Sequence, residues 1–179
     1  MSPVADKIQE FYDKNVQNEW ERLDRHRTEF EVTMKALREF LPPSPCRVLD
    51  VGGGPGRYSI ALAKSGYAVT LFDLSKGCLD FAERKSSELG VELSGTVKGS
   101  SLDLGKFADE AFDVVLLMGP LYHLLKRERE ATGSLREQTG TKIRRHSLCH
   151  YYHSLRSNSL VCLPGPGPTP EAILSSSEP

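Results

Sequence analysis

The chain has 179 residues, of which 39% are hydrophobic, and a chain of this size favours one domain with its own hydrophobic core. Its 23 Lys and Arg residues nearly balance its 24 Asp and Glu residues, for a formal net charge of -1, so the composition offers no basis for a polyanionic partner such as nucleic acid. The four cysteines stand far apart without a CxxC pair, which predicts free thiols and no disulfide framework.

The N-terminal stretch carries charges throughout and has no apolar run long enough for a signal peptide or a membrane span. We therefore expect a cytosolic protein with no membrane partner. From Ile8 to Leu41 apolar residues recur at mostly helical spacing, and the proline-rich segment LPPSP ends the run. This predicts an N-terminal helical cap over residues 1–45. Within it, Tyr12 and Trp20 are candidates for a lid over a ligand, with plain packing as the alternative.

Strands and helices alternate after the cap. The apolar run CRVLDVG (46–52) predicts a buried strand that ends in glycines, and RYSIALAKSG (57–66) has helical spacing. The β-branched and aromatic run YAVTLFD (67–73) predicts a second strand. Ser75 then stands where it can cap the helix KGCLDFAERKSSEL.

Two further strands are predicted from VELSGTVKG (91–99) and FDVVLLMG (112–119), and the second is followed by the helix-like PLYHLLKRERE (120–130). Strands that alternate with helices are typical of a parallel sheet covered on both faces. The sequence therefore predicts an α/β fold with a Rossmann-like, doubly wound parallel sheet of about four strands over residues 46–130.

The glycines of VLDVGGGPGRYS stand where the first strand passes into a helix. They let the backbone approach a ligand that a Cβ would exclude, and the helix start presents free N–H groups and a positive dipole end. We therefore expect an anionic group of a ligand at this turn. A dinucleotide fingerprint requires a third glycine where Arg57 or Ser59 stands, which disfavours a nicotinamide-dependent oxidoreductase.

The segments VLDVGGGPG and VTLFDLS resemble the first two motifs of the class I S-adenosylmethionine-dependent methyltransferases, a likeness that spans about residues 46–125. The resemblance implies S-adenosylmethionine as the cofactor. It also implies that the loop of Gly52, Gly54 and Gly56 lies under the methionine part of the cofactor. Asp73 is implied to accept hydrogen bonds from both ribose hydroxyls, because a carboxylate can take two such donors at once.

The same resemblance assigns further cofactor-binding residues. Asp50 is implied to help fix the loop and the amino group of the cofactor. At the third motif the family commonly has Gly-Asp, whereas this chain has Ser100 at the acid position. Ser101, Leu102 and Asp103 are then candidates for the adenine contact, through backbone or side chain. Met118, at the end of the fourth strand, is the last candidate.

The segment FDVVLLMGPLYHLL resembles the fourth-strand segment of small-molecule members near the quinone-biosynthesis type. It lacks the [Asn/Asp]-Pro-Pro-aromatic pattern of members that act on nucleobase or amide nitrogens, so we expect a small-molecule acceptor and no nucleic acid. Tyr122 and His123 are implied to lie at the carboxyl edge of the sheet. His123 is the candidate general base because the ordinary pKa of histidine lies near physiological pH, and a structural histidine at a helix start is the equal alternative.

Periodic patterns fail after residue 130, and residues 131–179 are predicted to form a divergent, disordered tail. Its tract RRHSLCHYYHSLRSNSL (144–160) holds four residues of the types that bind zinc, namely His146, Cys149, His150 and His153. Their spacing fits no zinc site. We predict no metal.

This tract stands where the family has a Gly-Gly turn and an apolar fifth strand. Read one base later, a His or Tyr codon before Ser, Tyr or His becomes a codon for Ile or Thr, and a Cys codon before His becomes one for Ala or Val. Arg144 and Arg145 can likewise become Gly-Gly. The amino-acid sequence in the shifted frame is rich in β-branched residues, which favour a strand. We hypothesise that the reading frame changes between Glu130 and Gln138.

Two functions remain open from the sequence. The first is an enzyme that passes a methyl group from S-adenosylmethionine to a small-molecule acceptor. The second is a non-catalytic remnant that binds the same cofactor, since about four of the family's seven strands are predicted and the acceptor pocket is then incomplete. The sequence indicates neither the acceptor atom nor the oligomeric state.

Overall fold

The computed structural model describes residues 3–101, 103–118, 148–154 and 157–163 of the chain. Two helices come first, α1 (Pro3–Arg25) and α2 (Arg27–Phe40). Four parallel strands follow, β1 (Arg47–Val51), β2 (Ala68–Asp73), β3 (Gly95–Lys98) and β4 (Val114–Leu117), with α3 (Arg57–Lys64) after β1 and α4 (Lys76–Glu88) after β2. These elements confirm the predicted N-terminal helices and the four predicted strands.

Two more strands extend the sheet beyond the predicted set. β5 (Leu148–Ser154) pairs parallel with β4, and β6 (Ser157–Leu163) pairs antiparallel with β5. The sequence predicts a disordered tail here, so the structure differs from that prediction in these two segments. Tyr151, Tyr152 and Val161 are of residue types that favour strands, and β5 covers the edge that β4 otherwise leaves open. The rest of the predicted tail lies outside the described residues.

The strands follow the order β3-β2-β1-β4-β5-β6, so the chain extends the sheet from β1 first to one side and then to the other. β1 pairs with β2 as far as Val51↔Phe72 and with β4 as far as Val51↔Leu117. In open parallel sheets, ligands bind outside the carboxyl ends of the strands where the strand order reverses. That position is the carboxyl end of β1.

Hydrophobic clusters cover both faces of the sheet. Successive residues of a strand point to opposite faces, so Val48 and Leu49 of β1 pack in different clusters. The first cluster joins α2 and α3 to the sheet and includes Met34, Leu37, Val48, Leu62, Val69, Val114 and Leu116. The second consists of Leu49, Val51, Phe72, Leu104, Val115 and Leu117. The second cluster includes Val51, Phe72 and Leu117 at or next to the carboxyl ends of β1, β2 and β4.

The helix α1 is kinked at Asn15, whose φ is -117°. The Asn15 side chain donates a hydrogen bond to the carbonyl of Phe11 over 2.7 Å. Beyond the kink, Trp20 packs against Phe81 of α4 with ring centroids 5.5 Å apart. Of the two predicted roles for Trp20, a lid or plain packing, this contact corresponds to packing. Among the described helices, none has the length and apolar character of a membrane span.

Candidate functional site

The carboxyl ends of β1 and β2 meet at one edge of the sheet. β1 ends at Val51, which pairs with Phe72, the residue before Asp73. The glycine loop leads from β1 to α3, which begins at Arg57. The structure therefore brings together five of the candidate cofactor-binding residues at this edge, namely Asp50, Gly52, Gly54, Gly56 and Asp73.

The loop is shaped by backbone conformations that favour glycine. Gly52, Gly54 and Gly56 have φ angles of 69°, 57° and 81°, which residues with a Cβ rarely adopt. The backbone N–H of Gly54 donates to Oδ2 of Asp73 over 2.8 Å. A Cβ at Gly54 would meet no atom within 4 Å among the described residues, so a ligand can approach this side of the loop.

The other side of the loop packs directly on a buried carboxylate. A Cβ at Gly53 would lie 2.5 Å from Oδ2 of Asp50 and 2.6 Å from Cδ1 of Leu71, which is closer than such atoms approach. Ser59 in α3 donates its hydroxyl to the same Asp50 oxygen over 2.6 Å. Asp50 therefore ties the end of β1 to the first turns of α3, and the loop is held against both.

Asp50 is the most deeply buried charged group of the site, with 1% of its surface exposed. Burial raises the pKa of Asp50 to about 6; the hydrogen bond from Ser59 opposes this rise, and the charge of Asp73 adds to it. Oδ1 of Asp50 has no hydrogen-bond partner among the described residues. A buried acceptor of this kind is costly unless a donor or a cation satisfies it, so the carboxylate fits a ligand that brings a positive charge.

Asp73 is also buried, and both of its oxygens are held by backbone. Oδ1 accepts from the N–H of Ser75 and Oδ2 from the N–H of Gly54, each over 2.8 Å. Burial raises the pKa of Asp73; the hydrogen bonds from Ser75, Gly54 and Leu74 oppose the rise, and the charge of Asp13 adds to it. Each carboxylate oxygen has a second lone pair. The oriented Asp73 can therefore receive two hydroxyl donors, the chemistry of a ribose.

The other candidate residues are distributed as follows. Ser101 is half-buried within a turn in which the N–H of Asp103 donates to the carbonyl of Ser100 over 2.8 Å. Met118 directly follows β4 and packs, half-buried, against the hydrophobic cluster that contains Met34. Leu102, Tyr122 and His123 lie outside the described residues.

Three of the zinc-type residues of the C-terminal tract lie in β5, namely Cys149, His150 and His153, and His146 lies outside the described residues. Within the part of the chain that the structure describes, no three His, Cys, Asp or Glu residues are grouped as a metal site.

Two contributors to the site were not identified from the sequence. Ser59 follows Asp50 by nine positions, and a polar residue on the buried face of α3 was a signal that could have revealed it. Asp13 accepts hydrogen bonds from the Ser75 hydroxyl and the Gly77 N–H over 2.5 Å and 2.9 Å. Because 62 positions separate Asp13 from Ser75, no local motif contains both.

Known proteins resemble this chain over the segment that contains the glycine loop and Asp73. A family model described as a methyltransferase domain matches residues 48–137, half of the chain. The cypemycin N-terminal methyltransferase of a Streptomyces species is 37% identical over 89 residues, which cover 50% of this chain and 34% of that protein. The ubiquinone biosynthesis O-methyltransferase of Xanthomonas axonopodis is 38% identical over 93 residues, which cover 52% and 38%.

A third relative matches over a longer stretch. The magnesium-protoporphyrin O-methyltransferase of Rhodobacter capsulatus is 28% identical over 136 residues, which cover 67% of this chain and 58% of that protein. The chain therefore spans between about a third and three fifths of the length of these curated relatives.

The fold has matches among solved structures. A Methanococcus maripaludis structure described as an S-adenosyl-L-methionine-dependent methyltransferase superposes with a TM-score of 0.60 at 20% identity, over 77% of this chain and 62% of that one. This match supports the Rossmann-like fold. The family match covers β1 from Val48 onward, the glycine loop and Asp73. The chain belongs to the methyltransferase domain family, and this family and fold imply S-adenosylmethionine as the cofactor.

Proposed function

We propose that this chain is a class I S-adenosylmethionine-dependent methyltransferase that acts on a small-molecule acceptor. The observation that carries the proposal is the hydrogen bond from Gly54 to Asp73, which orients an acidic side chain beside an open glycine loop in a chain of this family. A cytosolic location, expected from the charged N-terminal stretch, stays a prediction.

The residues of this edge fit the cofactor. Asp73 retains acceptor positions for two ribose hydroxyls. The open side of Gly54 leaves room for the methionine part of the cofactor. Asp50 supplies a negative charge behind the loop for the amino group of the cofactor. When bound, S-adenosylmethionine supplies a methyl group on a sulfonium sulfur. The chain's own residues then have to hold the acceptor in line with that methyl group and exclude competing geometries.

A small-molecule acceptor is supported by two observations. Two relatives are named as O-methyltransferases of ubiquinone biosynthesis and of magnesium-protoporphyrin, and the near-balanced charge of this chain offers no basis for a polyanionic acceptor. We place Tyr122 and His123 on the acceptor side, with His123 as the base for the acceptor's proton. Ser101, Leu102 and Met118 belong to the cofactor side.

Calorimetric titration of the full chain with S-adenosylmethionine tests the cofactor half of the proposal. We expect a dissociation constant on the order of micromolar. Asp73→Ala should weaken binding by about 10- to 100-fold, because hydrogen bonds to a charged group are lost. The matched control is Asp80→Ala, which removes an exposed acid of α4 that pairs with Lys76 and should bind like the wild type.

Transfer of labelled methyl groups to a panel of small phenols and carboxylic acids tests the acceptor half. Turnover supports the enzyme, and cofactor binding without turnover on any acceptor assigns the non-catalytic remnant instead. Because one relative is named a tRNA 5-carboxymethoxyuridine methyltransferase, tRNA is included, and methylation of tRNA alone would overturn the acceptor class. A wild-type chain that does not bind the cofactor refutes the whole proposal.

A further inference from the structure

Asp13 of α1 caps the start of α4 from a distant part of the chain. Its Oδ1 accepts hydrogen bonds from the Ser75 hydroxyl over 2.5 Å and from the Gly77 N–H over 2.9 Å. The Ser75 hydroxyl oxygen in turn accepts from the N–H of Cys78 over 3.0 Å. The first N–H groups of a helix have no partner within the helix, and here two side chains from different elements satisfy them.

Gly77 allows this close approach of α1 to α4. A Cβ at Gly77 would lie 3.0 Å from Oδ1 of Asp13, 3.3 Å from its Cα and 3.4 Å from Cγ2 of Val16. The first two distances are tighter than ordinary van der Waals contact, so a larger residue would require Asp13 to shift by a few tenths of an ångström. The contact is therefore made by the backbones of both helices as well as by the Asp13 side chain.

The turn that Asp13 holds is the one that orients Asp73. The N–H of Ser75 donates to Oδ1 of Asp73, and Oδ2 of Asp73 accepts from Gly54. A continuous series of hydrogen bonds thus runs from Asp13 through Ser75 and Asp73 to the glycine loop. Burial opposes the ionisation of Asp13, but its hydrogen bonds, the largest from Ser75, lower the pKa of this carboxyl, so a charged acceptor holds the turn at neutral pH.

We propose that Asp13 is a positioning residue of the cofactor site: by fixing the Ser75 turn, it holds Asp73 and, through Asp73, the Gly54 N–H in the arrangement that receives the ribose. This inference rests on the proposed function, in which Asp73 is the ribose acceptor. It makes α1, which lies outside the family match over residues 48–137, a working part of the site.

The test combines cofactor titration with amide hydrogen exchange followed by NMR on the full chain. Asp13→Ala should weaken S-adenosylmethionine binding by about fivefold, the usual scale for a lost helix cap, and should speed exchange of the Gly54 N–H, which Asp13 does not touch. Asp13→Asn keeps an acceptor oxygen and should restore both properties to within about twofold of the wild type.

The matched control is Glu29→Ala, which removes the pair of hydrogen bonds between Glu29 and Arg22 that joins α1 to α2 and leaves the Ser75 turn alone. It should change neither readout. Unchanged binding and unchanged Gly54 exchange in Asp13→Ala, or equal changes in Glu29→Ala, would overturn the inference. If Asp13→Ala does not fold, Gly77→Ala takes its place with the same expectations.

The two proposals fail in different ways. A wild-type chain that does not bind S-adenosylmethionine refutes the proposed function. In that case the exchange rate of the Gly54 N–H in Asp13→Ala, compared with the wild type, decides whether Asp13 positions the turn.

Discussion

The backbone N–H of Gly54 donates to Oδ2 of Asp73 over 2.8 Å and so connects the loop after β1 with the end of β2. The parallel pairing of Val51 with Phe72 brings the two ends together, and the left-handed conformation of Gly54 turns its N–H toward the acid. The position of the site therefore depends on the register of β1 and β2, and a change at Gly54 or Asp73 should affect both the loop and the acid.

Cofactor affinity should fall as the solution becomes acidic. Burial raises the pKa of Asp50 to about 6, and only the ionised carboxylate attracts the positively charged amino group of the proposed cofactor. Between pH 7 and pH 5 we expect the dissociation constant to rise by about tenfold. Calorimetric titration across this range measures it. Asp50→Asn should bind weakly with no such pH dependence, and a wild-type affinity that is constant from pH 5 to pH 7 contradicts the role of Asp50.

Asp50 should also make the fold less stable as the pH rises. Its folded-state pKa of about 6 exceeds the ordinary value of 3.8, so the folded chain binds the proton more tightly than the unfolded chain does. The stability linked to this proton is present below about pH 4 and is lost as the pH rises through about 6. The shift corresponds to about 3 kcal/mol.

Urea unfolding of the wild type and of Asp50→Asn at pH 4, 5, 6 and 7 measures this effect. Because the variant cannot ionise at this position, its free energy of unfolding relative to the wild type should increase by about 2 kcal/mol between pH 4 and pH 7, since part of the full effect falls below pH 4. Asp80→Asn alters an exposed acid and serves as the control. A relative free energy that does not change with pH shows that Asp50 titrates normally.

Gly53→Ala should destabilise the fold by about 1 to 3 kcal/mol, because the new Cβ overlaps the Asp50 carboxylate and the side chain of Leu71. Urea unfolding measures the loss. Gly95→Ala is the matched control, since a Cβ there meets its nearest atom, Cγ2 of Thr70, at an ordinary 4.0 Å, and we expect its free energy of unfolding to stay near that of the wild type. Equal losses in the two variants would mean that the Gly53 contact is not the cause.

The central part of the fold is predictable because its signals are local. The apolar runs of β1 and β2, the glycines after β1 and the cap at Ser75 each lie within a few residues of the element that they specify, and the structure has a strand, a turn or a helix start at each of them. The order of these elements along the chain then indicates a parallel sheet.

Contacts between distant segments are less accessible to sequence reasoning. Asp13 meets Ser75 across 62 positions, and neither residue carries a pattern that names the other. The strands of the tail illustrate a second limit, because β5 and β6 are specified mainly by pairing with each other and with β4. Residues such as Tyr151 and Val161 favour strands, but the two sequences lack the alternation of polar and apolar residues that marks a half-buried strand. The local signal for a strand is therefore weaker here than at β1 and β2.

Trp20→Ala should lower the free energy of unfolding by about 2 to 3 kcal/mol, a reduced value for a large aromatic residue that is only partly buried. The indole ring packs against Phe81 and receives the guanidinium of Arg57 4.6 Å from its centroid, so the truncation loses both contacts. Urea unfolding followed by circular dichroism measures the change, since Trp20 is the one tryptophan of the chain. Trp20→Phe should lose about half as much free energy of unfolding as Trp20→Ala, because it keeps an aromatic ring at this position. A Trp20→Ala variant with the free energy of unfolding of the wild type would contradict the packing role.

The reading frame of the tail remains a prediction with a direct test. The family match ends at residue 137, inside the segment from Glu130 to Gln138 where we place the frame change, and β5 lies beside β4 with Leu117 opposite His150. A frame one base later replaces His150 by Ile or Thr at the same place, residue types with a stronger preference for strands. We expect sequencing of the transcript across this segment to show a single-base change or an unrecognised intron. A transcript that encodes the tail as written, together with related chains that share its sequence, would instead make the histidine-rich strand a genuine part of this protein.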